Sequence, residues 1–143
     1  MATVELKLAS DLFDKVVAGH KTSTIRRPGK VKAGDLITFV EVIGDSDTIR
    51  RSGELIPEVA MEMQPRTLGP MVATGVYAIE FLCYPGEKEC YDITIDGRLL
   101  DGAGINALSW MEGLQPSELT KFIRTTYGFN RPLELIRFAP KER

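Results

Sequence analysis

Apolar and polar residues alternate through "TVELKL", with Val4, Leu6 and Leu8 on one side of the pattern, which is the period of a half-buried strand. Ser10 and Asp11 follow as N-cap candidates for a short helix that carries Leu12, Phe13, Val16 and Val17 on one stripe. Gly19 suits the end of that helix, where the backbone often needs positive φ. An extended run resumes at "TSTIR", turns at "RPGK", and is followed by a strong strand, "GDLITFVEVI", opened by Gly34 and Asp35.

From 44 to 71 the period is lost, and Pro57, Pro65 and Pro70 interrupt the chain. A stretch of that length without periodicity is expected to be an inserted surface excursion or a lid. Two further strand patterns, "VATGVYAIEFLCY" and "CYDITIDGRLL", come next, and Asp96-Gly97 inside the second is a type I′ hairpin signal. Helical spacing then appears in "GINALSWMEGL" and in "PSELTKFIRTTYGF", the latter started by Pro116 and Ser117 with Leu119, Phe122 and Ile123 on one face. "PLELIRFA" alternates again as a closing strand. Strands dominate, with one helix early and two late, so the expected fold class is α+β, a small barrel-like domain with flanking helices. Residues 1–143 are expected to form a single domain, a length that buries a core without disulfides or metal.

Composition narrows the function. The chain has no apolar run long enough to span a bilayer or to serve as a secretory segment, so the expectation is no membrane partner and a cytoplasmic location. A net charge of −2 argues against holding long nucleic acid by bulk phosphate attraction, though a local basic patch stays open. Cys83 and Cys90 flank the turn-rich "YPGEKE" and are expected to be reduced thiols facing each other across a hairpin. With His20 the sole histidine, the soft ligands are too few and badly spaced for zinc, and no metal or cofactor is expected.

The stretch "AGHKTSTIRR" carries the candidate chemistry. In an extended run over 22–26, Thr22, Thr24 and Arg26 share one face, while Ser23 and Ile25 take the other, with Ile25 as the core contact. Lys21 stands at the corner after Gly19, and its stem can fold back toward Thr24. A threonine hydroxyl becomes a nucleophile when a base takes its proton, and a lysine serves as that base when desolvation or a nearby cation such as Arg26 loosens its own. A threonine-rich surface strand with flanking basic residues explains the same letters, since threonine suits a half-buried pleat.

"GHKTSTIRR" resembles the signature of the ASCH family of PUA-like β-barrel domains, Gly-x-Lys-x-x-Thr-x-Arg, with Gly19, Lys21, Thr24 and Arg26 in its places. "VKAGDLITFV" is similar to the family's Gly-Asp turn and next strand, and "SWMEGLQPSELTKFIRTTYG" with "LELIRFA" is similar to the helix and final strand of its compact bacterial members. Those members hydrolyse N4-acetylcytidine, so the resemblance implies a small PUA-like mixed β-barrel and an amidohydrolase with Lys21, Thr24 and Glu112 as catalytic residues and Arg26 in substrate binding. It also implies a small nucleoside or single-stranded RNA as partner. The excursion at 44–71 and the hairpin at Asp96-Gly97 depart from the compact pattern. Other ASCH domains act as RNA-binding modules, so a non-catalytic grip on RNA through the same basic pocket, or RNA cleavage by Lys21 and Arg26, stands beside hydrolysis.

Read by residue type alone, Glu112 is a solvated acid near a helix end. Trp110 is either a base-stacking, substrate-binding ring or a core anchor. Tyr77, Phe81 and Tyr84 are expected to pack the barrel, and Met61, Met63 and Met71 to fill apolar gaps. The arginine pairs at 26–27 and 50–51 read equally as a phosphate patch or as solvated strand ends.

Overall fold

The computed structural model describes residues 2–43, 65–86, 90 and 92–141. Seven strands and three helices lie within them. In chain order they are β1 (Thr3–Ala9), α1 (Ser10–Val17), β2 (Ser23–Arg26), β3 (Leu36–Val42), β4 (Thr67–Leu82), β5 (Asp92–Ile95), β6 (Arg98–Leu99), α2 (Gly102–Glu112), α3 (Pro116–Thr126) and β7 (Leu133–Pro140). The fold is α+β, with all strands in one mixed sheet. β1 runs parallel to β3, and every other pairing is antiparallel. No helix among the described residues is long and apolar enough to cross a membrane.

β4 is the spine, pairing with β3 near its start, β7 along its middle and β5 at its end. It carries one extra residue at Thr74, where the register with β7 steps from Ala73↔Phe138 to Gly75↔Arg137. A one-residue bulge reverses which face each later side chain takes. Met71 and Ala73 therefore join Phe39, Phe138 and the α1 residues Leu12, Phe13 and Val16 in one core. Ile79 and Phe81, of the same parity, join Leu133 and Leu135 under Leu108, Leu119 and Ile123 of α2 and α3 in a second. One long strand thus feeds two cores on opposite faces of the sheet.

The local devices follow the residues. Asp96 and Gly97 both have positive φ and form the expected β5–β6 turn. Gln115 and Glu118 close a capping box ahead of α3, with Pro116 in its first turn. The α1 cap differs from expectation: Ala9 is the N-cap, Ser10 and Asp11 lie inside the first turn, and the Ser10 side chain hydrogen-bonds Glu41.

The largest difference lies at the end of the supposed excursion. Residues 67–71 are the start of β4, not loop. Gly69 and Pro70 fall in a second bulge, where the register steps from Phe39↔Leu68 to Ile37↔Met71. A bulge is where a strand tolerates a proline. A Cβ at Gly69 would stand 2.8 Å from the Ile37 carbonyl oxygen, so glycine is required there. Met71 is a buried core residue, as a gap-filler should be, while Met61, Met63 and the pair at 50–51 lie outside the described residues. Tyr84 stands beyond β4 and is 56% exposed, so it packs no core. Cys83 and Cys90 are free thiols, and burial raises the Cys90 pKa from its ordinary value.

Arg66 ties the start of β4 to the rest of the molecule. Its guanidinium forks onto Glu41, with Nε 3.2 Å from Oε1 and Nη2 2.9 Å from Oε2, reaches Asp14 at 2.6 Å and lies over the Phe13 ring. Those bonds hold the buried Glu41 carboxyl down at about 2. A carboxylate depressed in the folded state contributes stability that is complete above its unfolded value and lost as pH falls through the folded one. We expect this contribution to fade between about pH 4.3, the free glutamate value, and the folded value. Urea unfolding measured across that range should show a shallower acid loss in Glu41→Gln than in the parent chain.

Candidate functional site

β1 and β2 are both edge strands, each with a single ladder partner. They do not pair with each other, and a cavity of about 210 Å³ opens where their edges face. Leu8, Leu12, Ile25, Leu114 and Phe122 form its apolar wall. Lys21, Thr24, Arg26 and Glu112 line the same cavity.

Lys21 is delivered by the end of α1. Gly19 takes φ +79°, and the His20 and Lys21 amides both return to the Lys15 carbonyl at 2.8 and 3.1 Å. That tight corner swings the Lys21 side chain inward, where it is 3% exposed. Glu112 is delivered by the end of α2. The Thr22 amide bonds the Met111 carbonyl at 2.8 Å, and Lys15 Nζ donates to the Gly113 carbonyl, so helix and corner are stitched by main-chain groups on both sides of the glutamate. Gly113 makes the approach possible: it has φ +74°, and a Cβ on it would sit 3.0 Å from Lys15 Cδ and 3.3 Å from the His20 oxygen.

Glu112 is consequently 4% exposed instead of solvated. Lys21 Nζ lies 3.4 Å from Glu112 Oε1 and donates to the Glu112 carbonyl at 3.2 Å. Ser23 Oγ donates to the other carboxylate oxygen, Oε2. Burial is the largest influence on Lys21 and lowers its pKa from the usual lysine range; Glu112 opposes this, while Arg26 and Lys15 add to it. Desolvation and neighbouring cations are the two means by which a lysine becomes a base.

Arg26 donates from Nε to Thr24 Oγ1 at 3.1 Å and from Nη2 to the Lys7 carbonyl at 2.7 Å. The second bond crosses from β2 to β1, so one guanidinium spans the gap that strand pairing leaves open. The first takes a lone pair of the Thr24 hydroxyl and leaves its proton available to a base. Tyr127, at the end of α3, lines the cavity, donates its hydroxyl to the Ile25 carbonyl at 3.1 Å and has its pKa raised by burial. Thr126 lines the cavity too. Thr125 bonds back to the carbonyl four residues earlier and Thr120 does likewise, whereas the buried Thr126 hydroxyl has no hydrogen-bond partner among the described residues.

Four of the five residues singled out in the sequence, Lys21, Thr24, Arg26 and Glu112, therefore meet at one cavity. Trp110 does not. It is 79% exposed and borders a separate depression with His20 and Gln115. Neither is it a core anchor: two residues from both Leu108 and Glu112, two of the three buried positions of α2, it points away from them on the helix. Ser23, Thr126 and Tyr127 were not anticipated. Ser23 did leave a signal, as a hydroxyl on the strand face assigned to the core, where a buried polar group needs a partner.

Comparison with known proteins adds no relative: no family model matches the chain, and neither a curated protein nor a solved structure is similar to it.

Because Gly113 is strained for any other residue, Gly113→Ala should lower the unfolding free energy by about 1–2 kcal/mol, the cost of a left-handed L-residue. Denaturant melts measure this directly. A loss within a few tenths of a kcal/mol would show that the α2 end is not held as described.

Proposed function

We propose that this chain is an ASCH-like domain whose sheet is an open PUA-type barrel with its ligand pocket at the β1–β2 seam. In this reading it is a cytoplasmic hydrolase of small N-acylated nucleosides of the N4-acylcytidine class. The observation that carries the proposal is the buried Lys21, destabilised as a cation, sharing a cavity with the Thr24 hydroxyl and paired with Glu112. Ionisable groups perturbed by burial and gathered in a cleft are markers of chemistry. Cavity size supports a small substrate. A hollow of ~150 Å³ holds a benzene ring, so one of about 210 Å³ suits a pyrimidine with a short acyl arm better than an oligonucleotide.

In this reading Lys21, which lines the cavity with Thr24, takes the proton of Thr24, and Oγ1 attacks the acyl carbonyl. Arg26, already bonded to Oγ1, lowers the cost of negative charge at the reacting centre. Glu112, beside Lys21, relays the proton to the leaving amine as the carbon–nitrogen bond breaks. Water then cleaves the threonyl ester and returns the free hydroxyl with a carboxylic acid as the second product. The apolar wall receives the acyl group and one face of the base, and Thr126, whose buried hydroxyl has no partner among the described residues, turns it toward a polar edge of the ligand on binding.

A second reading, a pocket that only grips an RNA base, draws on the exposed Trp110 ring beside the neighbouring depression as a stacking platform. The two readings separate on N4-acetylcytidine and a short RNA carrying the same base. Under hydrolysis, Lys21→Arg and Thr24→Val each lower turnover by about 10²–10⁴-fold, the usual worth of a proton-transfer group. Thr24→Ser keeps part of the activity. Under binding alone, no product forms by mass and Lys21→Arg is tolerated. Undiminished turnover in either Lys21→Arg or Thr24→Val removes the mechanism.

Two finer outcomes are expected. Turnover should rise with pH as Lys21 loses its proton, with a midpoint below about 10.4, the free lysine value. Thr126→Val should weaken ligand affinity about fivefold, the worth of one hydrogen bond near 1 kcal/mol, with Tm little changed. Affinity equal to that of the parent chain would place the ligand away from α3.

A further inference from the structure

Ser23 has no part in the mechanism above, yet it is fully buried and spends its hydroxyl on the catalytic carboxylate. We propose that Ser23 is a positioning residue that tempers the Lys21–Glu112 ion pair, holding Glu112 Oε2 so that the carboxylate meets the ammonium through Oε1 alone and the lysine's proton stays removable. The inference deepens the hydrolase reading and rests on it for its catalytic consequence.

The geometry supplies the argument. A carboxylate free to rotate beside a buried ammonium would close on it to the 2.7–2.9 Å of a charge-assisted hydrogen bond. Here the approach is 3.4 Å, and the second oxygen is engaged by a neutral donor. The hydroxyl also donates its proton to Oε2, and this bond draws negative charge toward that oxygen and weakens the carboxylate's pull on the lysine. Rotation and charge withdrawal act in the same direction, so loss of Ser23 tightens the ion pair. Among the described residues, Arg26 of β2 and Lys15 of α1 also act on Lys21 and both favour loss of the proton, and Lys7 of β1 lines the same cavity. Tyr127 of α3 faces Arg26 and Glu112 from the other side of the cavity. Glu112 alone among these holds the proton on Lys21, and Ser23 is the group that restrains it.

Geometry also explains why Ser23 is not itself the nucleophile. It is fully buried and does not line the cavity, whereas its neighbour Thr24 does. Two consecutive hydroxyls on one strand thus take separate tasks, one facing the ligand and one facing the carboxylate.

The test uses the full chain with Ser23→Ala and Ser23→Thr, folding being checked by thermal unfolding. Nitrogen NMR of ¹⁵N-lysine-labelled protein follows the Lys21 amine through a pH titration, with its resonance assigned by its absence in Lys21→Arg. In Ser23→Ala the Lys21 midpoint should move to higher pH, and in Ser23→Thr, which keeps a hydroxyl, it should return toward the parent value. With N4-acetylcytidine as substrate, the rising limb of the kcat profile should move the same way. At neutral pH kcat should fall about tenfold, the effect of one pH unit on a titrating base, while KM stays within about twofold. A Lys21 midpoint that is unchanged or lower in Ser23→Ala overturns the proposal. If the parent chain hydrolyses nothing, the proposed function falls, and the NMR titration alone still decides the role of Ser23. Should Ser23→Thr crowd the buried site and unfold, Ser23→Cys, with a weaker donor of similar size, is expected to lie between parent and alanine.

Discussion

An ammonium and a carboxylate withdrawn from water constrain everything around them. Removing such ions from solvent costs several kcal/mol each after relaxation, and their attraction repays this only if their other bonding positions are filled. Lys21 and Glu112 meet that condition through Ser23, through the Glu112 main-chain carbonyl and through each other. The pair tolerates little error in the position of α2. A main-chain bond from Thr22 to Met111 and a side-chain bond from Lys15 Nζ to the Gly113 carbonyl fix the helix end on either side of the glutamate, and the left-handed glycine lets it come close enough. Leu114, the next residue, packs against both cores, so the charge pair is braced by apolar contacts on each side of the sheet.

The two cores exist because β4 changes face along its length. Without the extra residue at Thr74, Met71 and Phe81 would lie on the same side, and either α1 or the α2–α3 pair would lose its apolar floor. With it, helices cover both faces and the sheet is left open between β1 and β2. The cavity sits at that opening, where Leu8 and Leu12 of one core come near Ile25 of the other. Arg26 joins the two edges through a side chain instead of a ladder. A space bounded by strand edges keeps main-chain groups and short polar side chains within reach of a ligand, which a sealed barrel interior would not.

Elements with strict periodicity were legible in the sequence. β1, β3, β7, the Asp96-Gly97 turn and the three helices follow from alternation, helical spacing and turn chemistry, although the α1 cap falls on Ala9. The start of β4 was not, because Gly69 and Pro70 are loop residues by local chemistry and only the paired strand beside them accommodates a bulge. For the site, period two along 22–26 brought Thr24 and Arg26 to one face, and the corner after Gly19 put Lys21 within reach of Thr24. Glu112 was legible only through that resemblance. By residue type it belongs in water, and its burial is decided by the docking of α2 on β2, a contact between segments about ninety residues apart. Ser23 escaped for the same reason, since its partner lies equally far along the chain. The core-anchor reading of Trp110 failed because size favours burial while helix phase overrules it.

The pairing of β2 has a consequence for the order in which the molecule is made. Its ladder partner is β7, with Ser23 against Arg137 and Arg26 against Glu134. A ribosome releases residues 23–26 early and residues 133–140 more than a hundred positions later. Throughout that interval the strand bearing Thr24 and Arg26 has no neighbour to hold it straight, and Lys21 has no glutamate beside it until α2 has emerged. Nascent chains stalled before β7 therefore carry Lys21, Thr24, Arg26 and Glu112 without the arrangement that joins them, and a truncation that spares these four still removes the strand that aligns two of them.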